Sequence, residues 1–261
     1  MLLAIDIGNT HIHVGVFGES PEPYAHFSVG SDGKRSVDEY ALTVRLLLAE
    51  RDVRPGDISG VILGSVVPTL TEIVRSAIAL LTDAPVTVVG PGVKTGFSIR
   101  LSDPSALGAD LASNTAGAIA AVGYPAIVID FGTATVVSAV DKERSFPGAS
   151  ILPGIRMSFD ALGETGLLKA VSGGVSVPTV GNGTEEAIRS GVLRGQALAV
   201  TGLAEQYRRA LSLPENVPVV VSGGCAEEIL PLLPKSYVHV PLLTLRGLFE
   251  IHRINLRRKE R

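Results

Sequence analysis

The segment Ala4-Ile5-Asp6-Ile7-Gly8-Asn9-Thr10 returns in the second half of the chain as Val128-Ile129-Asp130-Phe131-Gly132-Thr133-Ala134-Thr135. Each copy is an apolar run that ends in Asp, one apolar residue, Gly and a small polar cluster. Each is followed by a second apolar run, Ile12-His13-Val14-Gly15-Val16-Phe17 or Val136-Val137-Ser138-Ala139-Val140. Asp6 and Asp130 are separated by nearly half of the 261 residues. A strand-turn-strand unit built twice predicts two similar lobes, each offering a carboxylate and a Gly-centred turn to a shared cleft. Gly lets a backbone come close to a ligand, and Thr and Asn donate to phosphate oxygens. Carboxylates hold the accompanying cation, so the layout suits a nucleotide phosphate.

Composition narrows the partners. Hydrophobic residues make up 46% and charged residues 19%, the balance of an ordinary α/β protein with a sizeable core. A net charge of −3 and a pI near 6.0 argue against nucleic acid or an anionic membrane as the main partner. The basic stretch Arg257-Arg258-Lys259-Glu260-Arg261 reads as a solvated terminus. No run reaches the roughly 18 apolar residues of a membrane helix. The apolar N-terminus lacks a basic leader and is interrupted by Asp6, so it does not read as a signal peptide. The single cysteine, Cys225, fits a reducing cytoplasm and reads as a small packed residue, since no His neighbours it in sequence.

Strand and helix alternate along the chain, which predicts parallel sheet with helical cover. Residues 3–17 read as a hairpin turning near Gly8-Asn9. Ser36 and Glu39 form a capping box for a helix through about Glu50. A strand over 60–67 stops at Pro68, a helix runs over 69–81, and a strand follows at 86–89. Asp103-Pro104 is a helix-start signal, and Gly108-Ala109-Asp110 begins or continues that helix. Residues 148–154 read as loop or a bent strand end. Thr184-Glu185-Glu186 starts a long helix to about Ala210, and a strand over 217–221 leads into Ser222-Gly223-Gly224 and another helix.

The paired Asp turns are more specific together than either alone, since a lone Asp-x-Gly is a common structural turn. Gly223-Gly224 is either bare backbone for a base or ribose to pack on, or a tight turn into a helix. His11 and His13 alternate on a strand and share a face, but no third metal ligand is evident and they read as exposed residues. Lys94 lies outside any P-loop pattern.

Asp6-Ile7-Gly8-Asn9-Thr10, Ser65-Val66-Val67-Pro68, Gly90-Pro91-Gly92-Val93-Lys94-Thr95-Gly96, Gly108-Ala109-Asp110, the Asp130 turn and Ile151-Leu152-Pro153-Gly154 occur in this order. With Ser190-Gly191 and Leu243-Thr244-Leu245-Arg246-Gly247-Leu248, the set resembles the type III pantothenate kinases, within the actin and sugar-kinase superfamily.

The resemblance implies two actin-like, ribonuclease H-like α/β lobes, 1–121 and 122–261, with a nucleotide cleft between them. It implies ATP-dependent phosphorylation of pantothenate to 4′-phosphopantothenate, the first step of coenzyme A synthesis, by a cytoplasmic homodimer. Nucleotide and phosphate would be bound by Asp6, Ile7, Gly8, Asn9, Thr10, Gly132, Thr133, Thr135, Gly223 and Gly224. Asp6 would hold the Mg²⁺ that accompanies ATP, and Asp130 a monovalent cation, K⁺ or NH4⁺. Asp110 resembles the general base that takes the acceptor's hydroxyl proton, against the plainer role of a carboxylate at a helix start. Gly108, Ala109, Leu111, Arg100, Leu101 and Thr184 would line the pantothenate side. Thr184 would act from the neighbouring subunit, across an interface that includes the long helix and its apolar Ile188, Val192, Leu193, Ala197, Ala199, Val200 and Leu203.

One position departs from the pattern. The family usually has Gly-x-Asp-Arg, and this chain has Gly108-Ala109-Asp110-Leu111. Leu cannot hydrogen-bond to a carboxylate or hydroxyl. Two alternatives therefore stand beside the kinase reading: a non-catalytic ligand-binding or regulatory descendant, and a kinase for a different small hydroxyl acceptor.

Overall fold

A computed structural model of the chain describes residues 1–163 and 177–259, with side chains described as far as residue 256. The basic tail Arg257-Arg258-Lys259-Glu260-Arg261 thus lies outside the described side chains. The elements run β1 (Leu2–Ile7), β2 (His11–Phe17), β3 (Ala25–Gly30), α1 (Val37–Ala49), β4 (Gly60–Ser65), α2 (Pro68–Ala79), β5 (Val86–Val88), β6 (Ser98–Ile99) and α3 (Ala109–Val122). They continue with β7 (Ala126–Phe131), β8 (Ala134–Val140), β9 (Ser145–Phe146), β10 (Ala149–Pro153) and α4 (Ile155–Leu162). The last are α5 (Thr184–Arg189), α6 (Gly195–Ala210), β11 (Val219–Ser222), α7 (Ala226–Ile229), β12 (Val238–His239) and α8 (Leu243–Lys259).

The chain divides into two compact units, Met1–Ala120 with Leu242–Arg261, and Ala121–Pro241. The first holds a sheet in the order β3-β2-β1-β4-β5. β2 lies antiparallel to both β1 and β3, while β4 runs parallel to β1 and β5 parallel to β4. The second holds β10-β8-β7-β11-β12 with the same sequence of directions. Both are the actin-like, ribonuclease H-like arrangement, and the duplicated Asp-x-Gly segment is the first hairpin of each.

Central strands in such sheets are covered on both faces, so they read as unbroken apolar runs rather than alternating ones. Leu3, Ile5 and Ile7 of β1 pack with Tyr40, Val44 and Leu48 of α1 and with Val74 and Ile78 of α2. Leu2 and Ala4 point to the other face and meet Leu245, Leu248, Phe249 and Ile251 of α8. Fully burying side chains of this size contributes about 1.5–3 kcal/mol each. In the second unit, Ile127, Ile129 and Phe131 of β7 pack with Val192, Leu193, Ala197 and Val200.

The capping box forms as read. Glu39 N donates to Ser36 Oγ at 3.2 Å, and Ser36 N donates to Glu39 Oε2 at 2.7 Å. Tyr40, on the buried side of α1, donates its hydroxyl to Asp32 O at 3.0 Å.

Several expectations change. Residues 242–261 were placed in the C-terminal lobe, but α8 packs on β1, β2 and β4 and belongs to the first unit. Three glycines on those strands make room for it. A Cβ on Gly15 would meet Leu245 at 3.2 Å, one on Gly60 would meet His252 at 3.1 Å, and one on Gly64 would meet Leu248 at 3.0 Å. Residues 149–153 are a strand, β10, pairing with β8 along Ala149–Pro153. Asp103-Pro104 starts only a 3₁₀ turn, Pro104–Ala106, with Asp103 Oδ1 accepting from Ser105 N at 2.9 Å; α3 begins separately at Ala109. The long helix from Thr184 continues to Ala210 through one wider π turn, Ser190–Arg194.

Candidate nucleotide and acceptor site

The Gly8-Asn9-Thr10 turn joins β1 to β2 and is tied down from two sides. Gly8 N donates to His11 O at 3.0 Å, closing the hairpin. Ser31, just past β3, donates its hydroxyl to Gly8 O at 2.6 Å and its N–H to Thr10 O at 3.0 Å. Asn9 and Thr10 are exposed. Asp6 sits half-buried near the end of β1, opposite His13 on β2 and Gly64 on β4. Ile7 is fully buried in the helix-side core and its carbonyl accepts from Val66 N, so its side chain is unavailable to a ligand.

The second turn is shorter. Gly132 and Thr133 alone link β7 to β8, and Gly132 N donates to Ala134 O at 3.1 Å. The pair Phe131–Thr135 therefore occupies the place that Ile7–Ile12 holds in the first unit. Thr135, expected to touch phosphate, is 0% exposed with its hydroxyl unpartnered. A one-residue shift in a turn flips every following side chain to the other face, and Thr135 accordingly faces the core beside Val137. Thr133 is exposed and Asp130 half-buried.

The motif Leu152-Pro153-Gly154 backs this turn. A Cβ on Gly154 would overlap the Thr133 carbonyl and come within 2.9 Å of Gly132 O. The preceding carbonyl, Pro153 O, accepts from Gln196 Nε2 of α6 at 2.5 Å. Gln196 thus holds the corner behind Thr133, a role no sequence signal announces. Gly223 follows β11 with φ +101° and packs on the Phe131 backbone, where a Cβ would lie 2.5 Å from both N and O. Gly224 is exposed in open space. The tight-turn reading of the Gly pair is what the geometry carries for Gly223, while Gly224 leaves bare backbone at the surface.

Asp110 stands in the first turn of α3, half exposed, with Leu111 N donating to its Oδ1 at 2.8 Å. Ala109 is buried at 3.6 Å from where a Cβ on Gly64 would be, and Gly64 is the β4 partner of Asp6. The first unit therefore brings Asp6, the Gly8–Thr10 turn and the start of α3 to one end of one sheet. Leu111 is half-buried and offers no polar atom; Arg100 is exposed and Leu101 half-buried in the stretch after β6.

Thr184 lies elsewhere, exposed at the start of α5 on the rim of a cavity of about 790 Å³ within the second unit. The cavity is lined mainly by Leu152, Leu162, Ile188, Val192 and Ala199, with Gln196 at its wall. Val192, Leu193, Ala197 and Val200, expected at an interface, are buried in the unit's own core. Ile151 (71%), Val180 (83%) and Leu198 (74%), each next in sequence to a lining residue, are exposed.

Carboxylates and hydroxyls at the turns are hard oxygen donors and fit Mg²⁺ or K⁺ chemically. His11 and His13 lie with ring centroids 5.9 Å apart, and no cluster of three or more His, Cys, Asp or Glu stands at metal-binding geometry among the described residues. No described helix is long and apolar enough to cross a membrane.

Comparison with known proteins bears on this geometry. The family model for type III pantothenate kinase matches residues 2–206. A type III pantothenate kinase from Streptomyces griseus is 35% identical over 265 residues, covering 99% of this chain and all of the relative. One from Thermobifida fusca is 37% identical over 251 residues, 95% of this chain and 97% of the relative. Among solved structures, the activator of 2-hydroxyisocaproyl-CoA dehydratase from Clostridium difficile with bound ADPNP aligns at a TM-score of 0.56. Its 13% identity spans 100% of this chain and 97% of that one, which supports the fold alone. A match along both units assigns the chain: it belongs to the type III pantothenate kinase family.

Proposed function

We propose that the protein transfers the γ-phosphate of ATP to the primary hydroxyl of pantothenate, giving 4′-phosphopantothenate for coenzyme A synthesis in the cytoplasm. The observation that carries this reading is the family match combined with a carboxylate, Asp110, on the helix start that packs over the β4 partner of Asp6.

Phosphoryl transfer depends mainly on positioning and charge neutralisation, with one acceptor orienting the nucleophile. In the first unit the exposed amide and hydroxyl of Asn9 and Thr10 on the Gly8 turn, and in the second the exposed hydroxyl of Thr133 on the Gly132 turn, are groups suited to phosphate oxygens. Asp6 would hold the Mg²⁺ that travels with ATP and Asp130 a K⁺ or NH4⁺, and cations held there would supply charge neutralisation at the phosphates. Asp110 accepts the hydroxyl proton as the oxygen attacks the γ-phosphorus and ADP leaves. Gly108, Ala109 and Leu111 border the acceptor, with Arg100 supplying the cation that Leu111 does not. The active unit is a homodimer in which Thr184 reaches the acceptor bound by the partner.

A second reading, a kinase for another hydroxyl acceptor or a non-catalytic descendant, is favoured by one observation, Leu111 in place of Arg. ADP release measured with pantothenate and with a panel of small alcohols and sugars, in K⁺ and in Na⁺, separates the three. Release with pantothenate alone, faster in K⁺, is expected. Release with another acceptor moves the substrate, and release with none leaves a binder.

A further inference from the structure

We propose that α8 is a clamp that sets the position of Asp110, with Gly247 and Thr244 as positioning residues for phosphoryl transfer. This rests on Asp110 acting as the general base.

Two helices in the first unit cross at glycines. On α3, a Cβ at Gly117 would lie 2.7 Å from Leu243 O, 2.9 Å from Leu243 Cδ1 and 3.2 Å from Gly247 N. On α8, a Cβ at Gly247 would overlap the carbonyl of Ser113. Backbone thus meets backbone from both sides, one turn of helix apart on each partner. Glycine inside a helix costs roughly 0.5–1 kcal/mol relative to Ala, so two facing helix-interior glycines need a packing reason. The reason is close approach, and its place in the fold gives it a function. Ser113 is three residues beyond Asp110, and its hydroxyl donates to Ala109 O at 2.7 Å, so the Gly247 contact acts on the turn that carries the carboxylate.

The rest of that turn is fixed from the same side. Leu248 of α8 and Ala109 of α3 crowd together over Gly64. Thr244 Oγ1 donates to Asn114 Oδ1 at 2.7 Å, and Asn114 is buried. That bond sets the rotation of α3 about its own axis, which steric contact between smooth glycine surfaces does not. Rotation decides where Asp110 points. The segment Leu243-Thr244-Leu245-Arg246-Gly247-Leu248 thereby acquires a role: it fixes the depth and rotation of the helix that carries the base.

The test compares Gly247→Ala, Thr244→Val and Thr244→Ser in the full-length enzyme, each also in an Asp110→Asn background, with steady-state rates and thermal midpoints. A methyl at Gly247 parts the helices by on the order of 1 Å, and misplacement of that size costs up to ~10²-fold in rate. Gly247→Ala is expected to lower kcat about 10- to 100-fold while KM for ATP stays within about twofold. Thr244→Val is expected to lower kcat, and Thr244→Ser to restore it by keeping the hydroxyl. Neither Gly247→Ala nor Thr244→Val should slow Asp110→Asn further, since each acts through the carboxylate. A lower melting temperature with unchanged kcat would make α8 a stabilising helix only and overturn the proposal, as would equal further losses in the Asp110→Asn background. Should Gly247→Ala fail to fold, the Val and Ser variants at 244 decide alone. If Asp110→Asn itself leaves turnover intact, the general-base reading fails instead.

Discussion

Gly223→Ala should damage the second unit far more than its conservative appearance implies. Gly223 has φ +101°, a region L-residues avoid at a cost of order 1–3 kcal/mol. Its new Cβ would also stand 2.5 Å from Phe131 N and O, which are backbone atoms in the centre of the sheet and cannot swing aside. Overpacking of this kind typically costs a further 1–3 kcal/mol. The sum is about 2–6 kcal/mol, or a fall in melting temperature of roughly 4–24 °C at about 2–4 °C per kcal/mol. Phe131 leads directly into Gly132-Thr133, so relief by backbone movement should also weaken ATP binding. Gly224→Ala is the internal control: it adds its methyl to open space and should stay within about 0.5 kcal/mol. Urea unfolding and ATP titration of the two variants test this. A loss below about 1 kcal/mol for Gly223→Ala, or equal losses for both, would refute the close-approach argument.

Other substitutions probe the chemistry and the caps. Asp110→Asn should leave the thermal midpoint and ATP affinity near wild type and slow turnover by ~10²–10⁴-fold, the usual general-base contribution; a change under threefold would reduce Asp110 to a helix-end carboxylate. Leu111→Arg should lower KM for pantothenate about 10- to 100-fold, the worth of a charged hydrogen bond at roughly 1.5–3 kcal/mol, and Arg100→Ala should raise it. Ser36→Ala should cost about 1 kcal/mol through the lost cap, read as a shifted urea midpoint at neutral pH. The Ser36 N–H and hydroxyl hold the Glu39 carboxyl below its ordinary value of 4.5. Its contribution is therefore full above that pH and fades as pH falls through the lower folded value, so the gap between wild type and Ser36→Ala should narrow in acid.

The sequence was most legible where local chemistry dictates the answer. Apolar runs ending in Asp-x-Gly became the first hairpin of each unit, and Ser36 with Glu39 capped α1 as their spacing requires. The burial of Thr135 was not legible, because alignment by residue type hides a turn one residue shorter, and register alone decides which face a strand residue occupies. The home of α8 was misread because an apolar helix face looks alike wherever it docks. The complementary signal was Gly15, Gly60 and Gly64, three glycines on the two strands that flank β1, which leave room for Leu245, His252 and Leu248. β3 was passed over although Ala25, Phe27 and Val29 alternate with polar or small residues. Gln196 had no signature, and Gly247 stood in a motif that gave it no role, since what each does arises from contacts with Pro153 and Ser113, distant in sequence.

The most direct measurement follows the phosphate. Incubating the protein with γ-labelled ATP, Mg²⁺, K⁺ and pantothenate should move the label to 4′-phosphopantothenate, identified by mass, in proportion to ADP formed. Label found only in inorganic phosphate, or remaining in ATP with the protein folded, would contradict the account.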